Sequence, residues 1–236
     1  GPVSFLRMFN STAHEIIQGG KRQGANMAVL RVDSPDIEDF IRAKLPTPGN
    51  PDPLQHFNIS VGITDEFMDA LRNNMTYQLR DPRGPISPSG PDWNDRTRFR
   101  WAKDIWALIA ECAWKTGDPG LFFLDRVNNS PANPFSSVES ITCCNPCGEL
   151  PLFDWDACTL GSINLNNFVT STDTTAHLTV DWERLGQVTA LSTRFLDDVV
   201  EVAPWPLPEI TATTRGNRRI GLGVMGCGRR VELAHA

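Results

Sequence analysis

The spacing of apolar positions changes along the chain, and each change marks an element. From Pro2 to Ile17 apolar residues fall at Phe5, Met8, Phe9, Ala13, Ile16 and Ile17. That three-and-four spacing predicts a helix with one buried stripe, capped by the Ser4 hydroxyl. Met27 to Val32 and His56 to Ile63 are aliphatic-rich runs of strand length. Between them Ser34-Pro35-Asp36 places a cap, a first-turn proline and an acid at a helix start, and Ile37, Phe40 and Ile41 give that helix its buried face. Thr64 caps a further helix through Leu71, with Asp65 and Glu66 in its first turn. Trp101, Ile105, Leu108, Ile109 and Cys112 recur at helical spacing and predict a helix over 98–115, with Cys112 as a small core residue. Leu121 to Leu124 reads as a short buried strand and Ser162 to Phe168 as an alternating one. Asp181 caps a long helix with a stripe of Leu185, Val188, Leu191, Phe195, Val199 and Val202, stopped by Pro204, Pro206 and Pro208.

The intervening stretches read as loops. Lys44 to Pro53 and Pro82 to Asp95 are rich in proline and glycine, Asp125 to Ser137 is polar and irregular, and Thr170 to Ala176 is a polar turn region. Strands alternating with helices predict an α/β class with a largely parallel sheet.

Composition narrows the function classes. The 236 residues suit one large domain, 40% are hydrophobic and 21% charged, so a packed core is expected. A formal charge of -6 argues against a protein that grips nucleic acid through a basic face. No apolar run approaches the ~18 residues of a membrane span, and residues 1–20 lack the pattern of a secretion signal. Four of the six cysteines lie between Cys143 and Cys158, unlike a spread-out disulfide framework. Reduced thiols in a cytoplasmic protein are the expectation. The chain opens directly on a helix, as a piece of a longer chain does.

The chemistry concentrates in Cys144-Asn145-Pro146-Cys147-Gly148-Glu149-Leu150-Pro151-Leu152. Pro146 fixes one backbone angle and Gly148 frees another, which suits a sharply bent loop tip. On such a tip Asn145, Cys147 and Glu149 offer one small substrate a hydrogen-bonding amide, a reactive sulfur and a proton acceptor. Cys144 to Cys147 is also a literal C-x-x-C, open to a dithiol reading, or to half of a zinc site. A zinc site needs a second ligand pair, and the histidines at 14, 56, 177 and 235 are scattered, so no metal ligands are assigned. A second glycine-rich stretch, Gln18 to Asn26, combines three glycines with Lys21, Arg22 and three amides. It fits a solvated loop or a loop whose N–H groups approach a nucleotide. Gly221 to Gly226 matches G-x-G-x-x-G, but basic residues precede it where a dinucleotide site needs a strand. It reads as a closely packed glycine-rich helix face.

Asn145-Pro146-Cys147-Gly148-Glu149, followed by Cys158-Thr159-Leu160-Gly161-Ser162-Ile163-Asn164-Leu165, resembles the catalytic region of the ribonucleotide reductase large chain. Asp33 to Ile41, Phe57 to Met68, Gly117 to Asp125 and Asn217 to Gly226 are similar to the same family. The resemblance implies part of a ten-stranded α/β barrel with a catalytic finger loop, 1–236 being one partial barrel domain with a divergent tail at 227–236. It implies that Cys147 becomes a thiyl radical that takes the ribose 3′ hydrogen, and that Glu149 accepts the 3′-hydroxyl proton. Asn145 hydrogen-bonds substrate hydroxyls, and Pro146 and Gly148 complete the substrate loop. Cys158 is one half of the reducing dithiol, its partner expected before Gly1. Gly19, Gly20, Lys21, Arg22, Gln23, Gly24, Ala25 and Asn26 correspond to the specificity loop that senses the effector.

Cys147 and Cys158 stand eleven positions apart, with Trp114 to Gly120 ahead of them. This short interval resembles the class II type, which draws its radical from adenosylcobalamin (vitamin B12). The implied partners are a ribonucleotide substrate, a deoxynucleotide or ATP effector, a thioredoxin-type reductant and a second copy of the full-length chain, with no membrane and no direct nucleic acid. Cys143 and Cys144 stand where the family usually has other residues. A class I large chain served by a radical-generating subunit, and a nucleotide-binding regulatory protein without catalysis, are the alternatives.

Overall fold

The structure is a computed structural model and describes residues 1–18, 22–46, 54–81, 99–171 and 178–228. The expected loop at 82–95, most of the one at 44–53 and most of the turn at 170–176 lie outside those residues, as does the tail from 229. The chain divides into two compact units, Gly1–Asp154 and Trp155–Ala236, each described by itself.

The first unit runs α1 (Pro2–Glu15), β1 (Ile17–Gln18), β2 (Arg22–Gln23), β3 (Asn26–Arg31), α2 (Ile37–Ile41), β4 (Phe57–Ile63), α3 (Asp65–Arg72), β5 (Thr76–Gln78), β6 (Phe99–Trp101), α4 (Ala102–Thr116), β7 (Gly120–Phe123), α5 (Leu124–Asn128), β8 (Cys143–Cys144) and β9 (Pro151–Leu152). Its centre is a parallel sheet of order β3-β4-β7. β4 alternates Phe57, Ile59, Val61 and Ile63 with Asn58, Ser60 and Gly62, and its place in the middle of the sheet covers most of the second set as well. Every β4 residue is buried except Asn58. Ile37, Phe40 and Ile41 from α2, Phe67 and Ala70 from α3, and Ala102, Ile105, Ile109 and Cys112 from α4 join Ile59, Val61 and Ile63 in one core.

Local sequence sets these helices. Thr64 Oγ1 accepts from Phe67 N at 3.2 Å, so the expected cap of α3 forms. Tyr77 stacks edge-on against Phe67 at 5.0 Å, and its hydroxyl donates to Val32 O at 3.0 Å. Burial pushes the Tyr77 phenol up, which keeps it a donor. Lys44 Nζ bridges Phe57 O at 2.6 Å and Asp118 Oδ2 at 2.8 Å, and Asp118 Oδ1 accepts from Ile59 N at 3.3 Å. This polar staple ties the start of β4 to the turn before β7.

The second unit contains β10 (Thr159–Asn164), a 3-10 turn at Leu165–Phe168, β11 (Val169–Ser171), β12 (Leu178–Val180), α6 (Trp182–Val202), α7 (Pro208–Asn217) and β13 (Ile220–Met225). β10 and β13 pair in parallel from Thr159↔Ile220 to Asn164↔Met225, and β11 and β12 pair antiparallel. Asp181 caps α6 by accepting from Arg184 N at 3.0 Å. Among the described residues the strands form small separate sheets and close no barrel, so the architecture is mixed α/β. No helix among them is long and apolar enough to cross a membrane.

Several expectations are corrected. Helix α1 begins at Pro2 with Gly1 as its cap residue, so Ser4 lies inside the helix. Its inward line is the buried Asn10 with the half-buried Val3 and Leu6, while Phe5, Met8, Phe9 and Ile16 are exposed. Asn10 wins the interior position because its Oδ1 accepts from His56 N at 2.9 Å. On α6 the buried residues are Leu196 and Val200, whereas Leu191, Phe195 and Val202 face outward. Gly221 to Met225 is strand β13 and not a helix face. Pro208 does not only end α6; it opens α7 at the helix start, where its missing N–H costs nothing. The polar stretch from Asp125 holds the end of α5.

Candidate active site

β8 and β9 form an antiparallel hairpin, Cys143 opposite Leu152 and Cys144 opposite Pro151. Residues 145–150 are its tip. Asn145 N donates to Leu150 O at 3.1 Å and Leu150 N donates to Asn145 Oδ1 at 3.0 Å, which closes the base of the tip. Gly148 N donates to Asn145 O at 3.0 Å. This is a β-turn with proline at its second position and Cys147 at its third. Gly148 follows at φ +86°, a backbone conformation that costs a side-chain-bearing residue strain, and no atom lies within 4 Å of where its side chain would begin. Cys147 and Glu149 are exposed and Asn145 and Pro146 half-buried. The structure therefore brings Asn145, Pro146, Cys147, Gly148 and Glu149 together on one bent tip, as the proline and glycine imply.

Two clamps hold this hairpin. Asn58, on β4, donates from Nδ2 to Pro146 O at 2.6 Å. Asn128, at the end of α5, donates from Nδ2 to Leu124 O and Ile141 O, both at 2.9 Å, and its Oδ1 accepts from Ile141 N at 2.8 Å. Asn133, buried at 4% exposure, donates to Asn128 Oδ1 and Glu139 O at 2.9 Å. These amides satisfy the backbone of the segment that enters the hairpin. Sequence reasoning missed all three. The available signals were an amide at the second position of β4 and the neighbouring asparagines Asn128 and Asn129 in a stretch read as irregular.

The base of the hairpin is apolar. Cys144 packs with Phe122, Leu124, Ile141 and Phe153. Burial pushes its thiol up to about 11, and Cys143 and Glu149 push it the same way. Burial also raises Cys143. All six cysteines are described and each is a thiol. Beside the base, a cavity of about 420 Å³ opens between Thr142 and Cys143 and the end of β3 at Arg31 and Asp33. Arg31 is paired bidentately with Asp33 at 3.0 and 2.8 Å.

In the second unit Cys158 immediately precedes β10. Its Sγ lies 3.7 Å from where a side chain on Gly221 would start, and that same side chain would meet Leu160 at 2.5 Å. A side chain at Gly221 would therefore have to displace the tip of the exposed Leu160 side chain. Asp156, fully buried at its side chain, pairs with Arg219 at 2.8 Å and holds the approach to Cys158.

Of the expected specificity loop, Gly19, Gly20 and Lys21 lie outside the described residues. Arg22 and Gln23 form β2, paired with Ile17 and Gln18. Gly24 borders open space, and Asn26 anchors the end of the stretch through Nδ2 to His56 O at 3.2 Å. No group of three or more metal-ligating side chains occurs among the described residues.

Residues 1–232 match the family model for the ribonucleotide reductase barrel domain, and the chain belongs to that family. Over 227 residues, 96% of this chain, it is 44% identical to a vitamin B12-dependent ribonucleoside-diphosphate reductase of Mycobacterium tuberculosis, of which it covers 29%. It is 43% identical over 226 residues to the protein of the same description from Thermoplasma acidophilum, covering 27% of it. The alpha subunit of a ribonucleoside-diphosphate reductase from Chlamydia trachomatis is 29% identical over 248 residues. The chain thus spans less than a third of the length of these relatives.

Proposed function

We propose that this chain is the finger-bearing part of an adenosylcobalamin-dependent ribonucleoside-diphosphate reductase, which makes 2′-deoxyribonucleoside diphosphates by a thiyl-radical route. The observation that carries the reading is the hairpin tip, where an exposed thiol, an exposed carboxylate and a half-buried carboxamide lie within five residues. The higher identity to the B12-dependent relatives than to the Chlamydia subunit supports the cobalamin type over the class I alternative.

The residues present fit the cofactor at one point, Cys147. Its thiol is exposed and the space beside Gly148 is open, so a bulky group can reach Sγ. When bound, adenosylcobalamin supplies the radical equivalent that Cys147 carries. Cys147 Sγ then takes the 3′ hydrogen of the ribose. Glu149, two residues on, holds the 3′-hydroxyl proton while the 2′-hydroxyl leaves as water. Two electrons come from Cys158 and a second thiol, which end as a disulfide, and Cys147 returns the hydrogen to C3′. With Asn145 Oδ1 engaged by Leu150 N, its Nδ2 is the part left to meet a substrate hydroxyl. The barrel around the finger, the effector bound at 19–26, a thioredoxin-type reductant, a homodimer and a cytoplasmic site of action belong to the same reading.

The test is turnover by the full-length enzyme carrying this chain, with and without adenosylcobalamin, beside Cys147→Ser. An O–H bond is too strong to serve as a reversible hydrogen-atom carrier, so the serine variant is expected to bind nucleotide and make no deoxynucleotide. Residual product from it, or parental turnover without the cofactor, removes the reading.

A further inference from the structure

We infer that Asn58 is a positioning residue for Cys147, acting through the carbonyl of Pro146. Asn58 is the one exposed position in the otherwise buried middle strand of the parallel sheet. Its Nδ2 donates to Pro146 O at 2.6 Å, and that carbonyl belongs to the peptide group joining Pro146 to Cys147. The remaining bonds of the tip, Gly148 N to Asn145 O and Leu150 N to Asn145 Oδ1, lie within the tip itself and fix its shape, not its place. Asn128 and Asn133 fix the entering strand at Ile141 and Glu139, several residues away. Among the hydrogen bonds of the described residues, that of Asn58 therefore ties the thiol-bearing turn directly to the sheet.

The inference rests on the reading of Cys147 as the hydrogen carrier. Hydrogen transfer between sulfur and carbon requires the reacting atoms at close contact, and a displacement near 1 Å costs about 100-fold in rate. A turn tied to the rigid middle strand holds Cys147 in place. Released, it keeps its internal bonds and shifts as a body. The effect belongs in kcat, because Asn58 touches the finger backbone and not a substrate group.

The experiment uses the full-length enzyme with Asn58→Ala, Asn58→Asp and, alongside, Cys147→Ser. Aspartate has the shape of asparagine and, ionised, no hydrogen to donate. Both Asn58 variants are expected to lose about tenfold in kcat with KM within about twofold, and the amides of 145–150 to exchange hydrogen faster at unchanged melting temperature. A packing role would be rescued by the isosteric aspartate; the clamp is not. Parental kcat in both Asn58 variants beside an inactive Cys147→Ser would overturn the clamp alone. So would recovery in Asn58→Asp but not in Asn58→Ala. Turnover by Cys147→Ser would overturn the reading of the finger, and the clamp with it.

Discussion

Two cysteines three positions apart have opposite environments. Cys144 is 4% exposed and packed among Phe122, Ile141 and Phe153, whereas Cys147 is exposed at the turn. A dithiol partnership would ask Cys144 to ionise, and burial holds its proton up to about 11. Iodoacetamide at pH 8 is therefore expected to modify Cys147 well before Cys144; mass spectrometry showing equal rates would revive the C-x-x-C reading. Cys144→Ser is expected to keep most turnover in the full-length enzyme, where Cys147→Ser keeps none. The raised thiol also sets a direction for stability. An unfolded cysteine ionises near about 8.5, so between there and about 11 the folded state holds the extra proton. The contribution is complete below the lower value and lost as pH rises to the upper. Urea melts at pH 8 and 10.5 are expected to show a smaller loss in Cys144→Ala than in the parent chain; equal losses would show that other groups govern the alkaline limb.

At the scale of elements, what was legible in the sequence was what neighbouring residues decide. The Thr64 and Asp181 caps, the strand state of β4 and the turn at Pro146 and Gly148 are set mainly by residues within a few positions, and they form as expected. What depends on a distant partner was not legible. Helix α1 carries apolar residues on two faces, and the bond from His56 N to Asn10 goes with the one on which Val3 and Leu6 pack against the core. Helix α6 is ambiguous in the same way between Leu191 and Leu196. The glycine run of β13 has too few side chains to show a period, and its strand state comes from pairing with β10. The candidate site divides likewise: its reactive residues announce themselves, and the amides that hold them do not. Asn128 illustrates the cost of missing them. Asn128→Ala is expected to destabilise by about 1–3 kcal/mol, since it leaves both peptide groups of Ile141 short of partners. A denaturant midpoint unchanged from the parent would show that water replaces the amide.

For the molecule as a whole, the family assignment rests on the full run of matched residues, and the chemistry rests on a finger that this chain leaves open to solvent. A thiyl that abstracts hydrogen from carbon survives only where water and stray hydrogen donors are kept away. The described strands close no wall around Cys147, and the chain spans less than a third of the relatives it matches. Exposed apolar side chains at Phe5, Met8 and Phe9 in the first unit, and at Leu191 and Phe195 in the second, are a further sign of surfaces suited to contact with more protein. The isolated 236-residue chain is therefore expected to give no deoxynucleotide with adenosylcobalamin and a dithiol, although Cys147 is present. In the full-length enzyme Cys158→Ser separates the thiol roles further. On the proposed reading, hydrogen abstraction by Cys147 is expected to continue while the two electrons for reduction are missing, so substrate is expected to decompose in place of being reduced. Steady deoxynucleotide formation by Cys158→Ser at the parental rate, with thioredoxin as reductant, would remove Cys158 from the dithiol. Turnover by the isolated chain would show that the hairpin needs no surrounding wall.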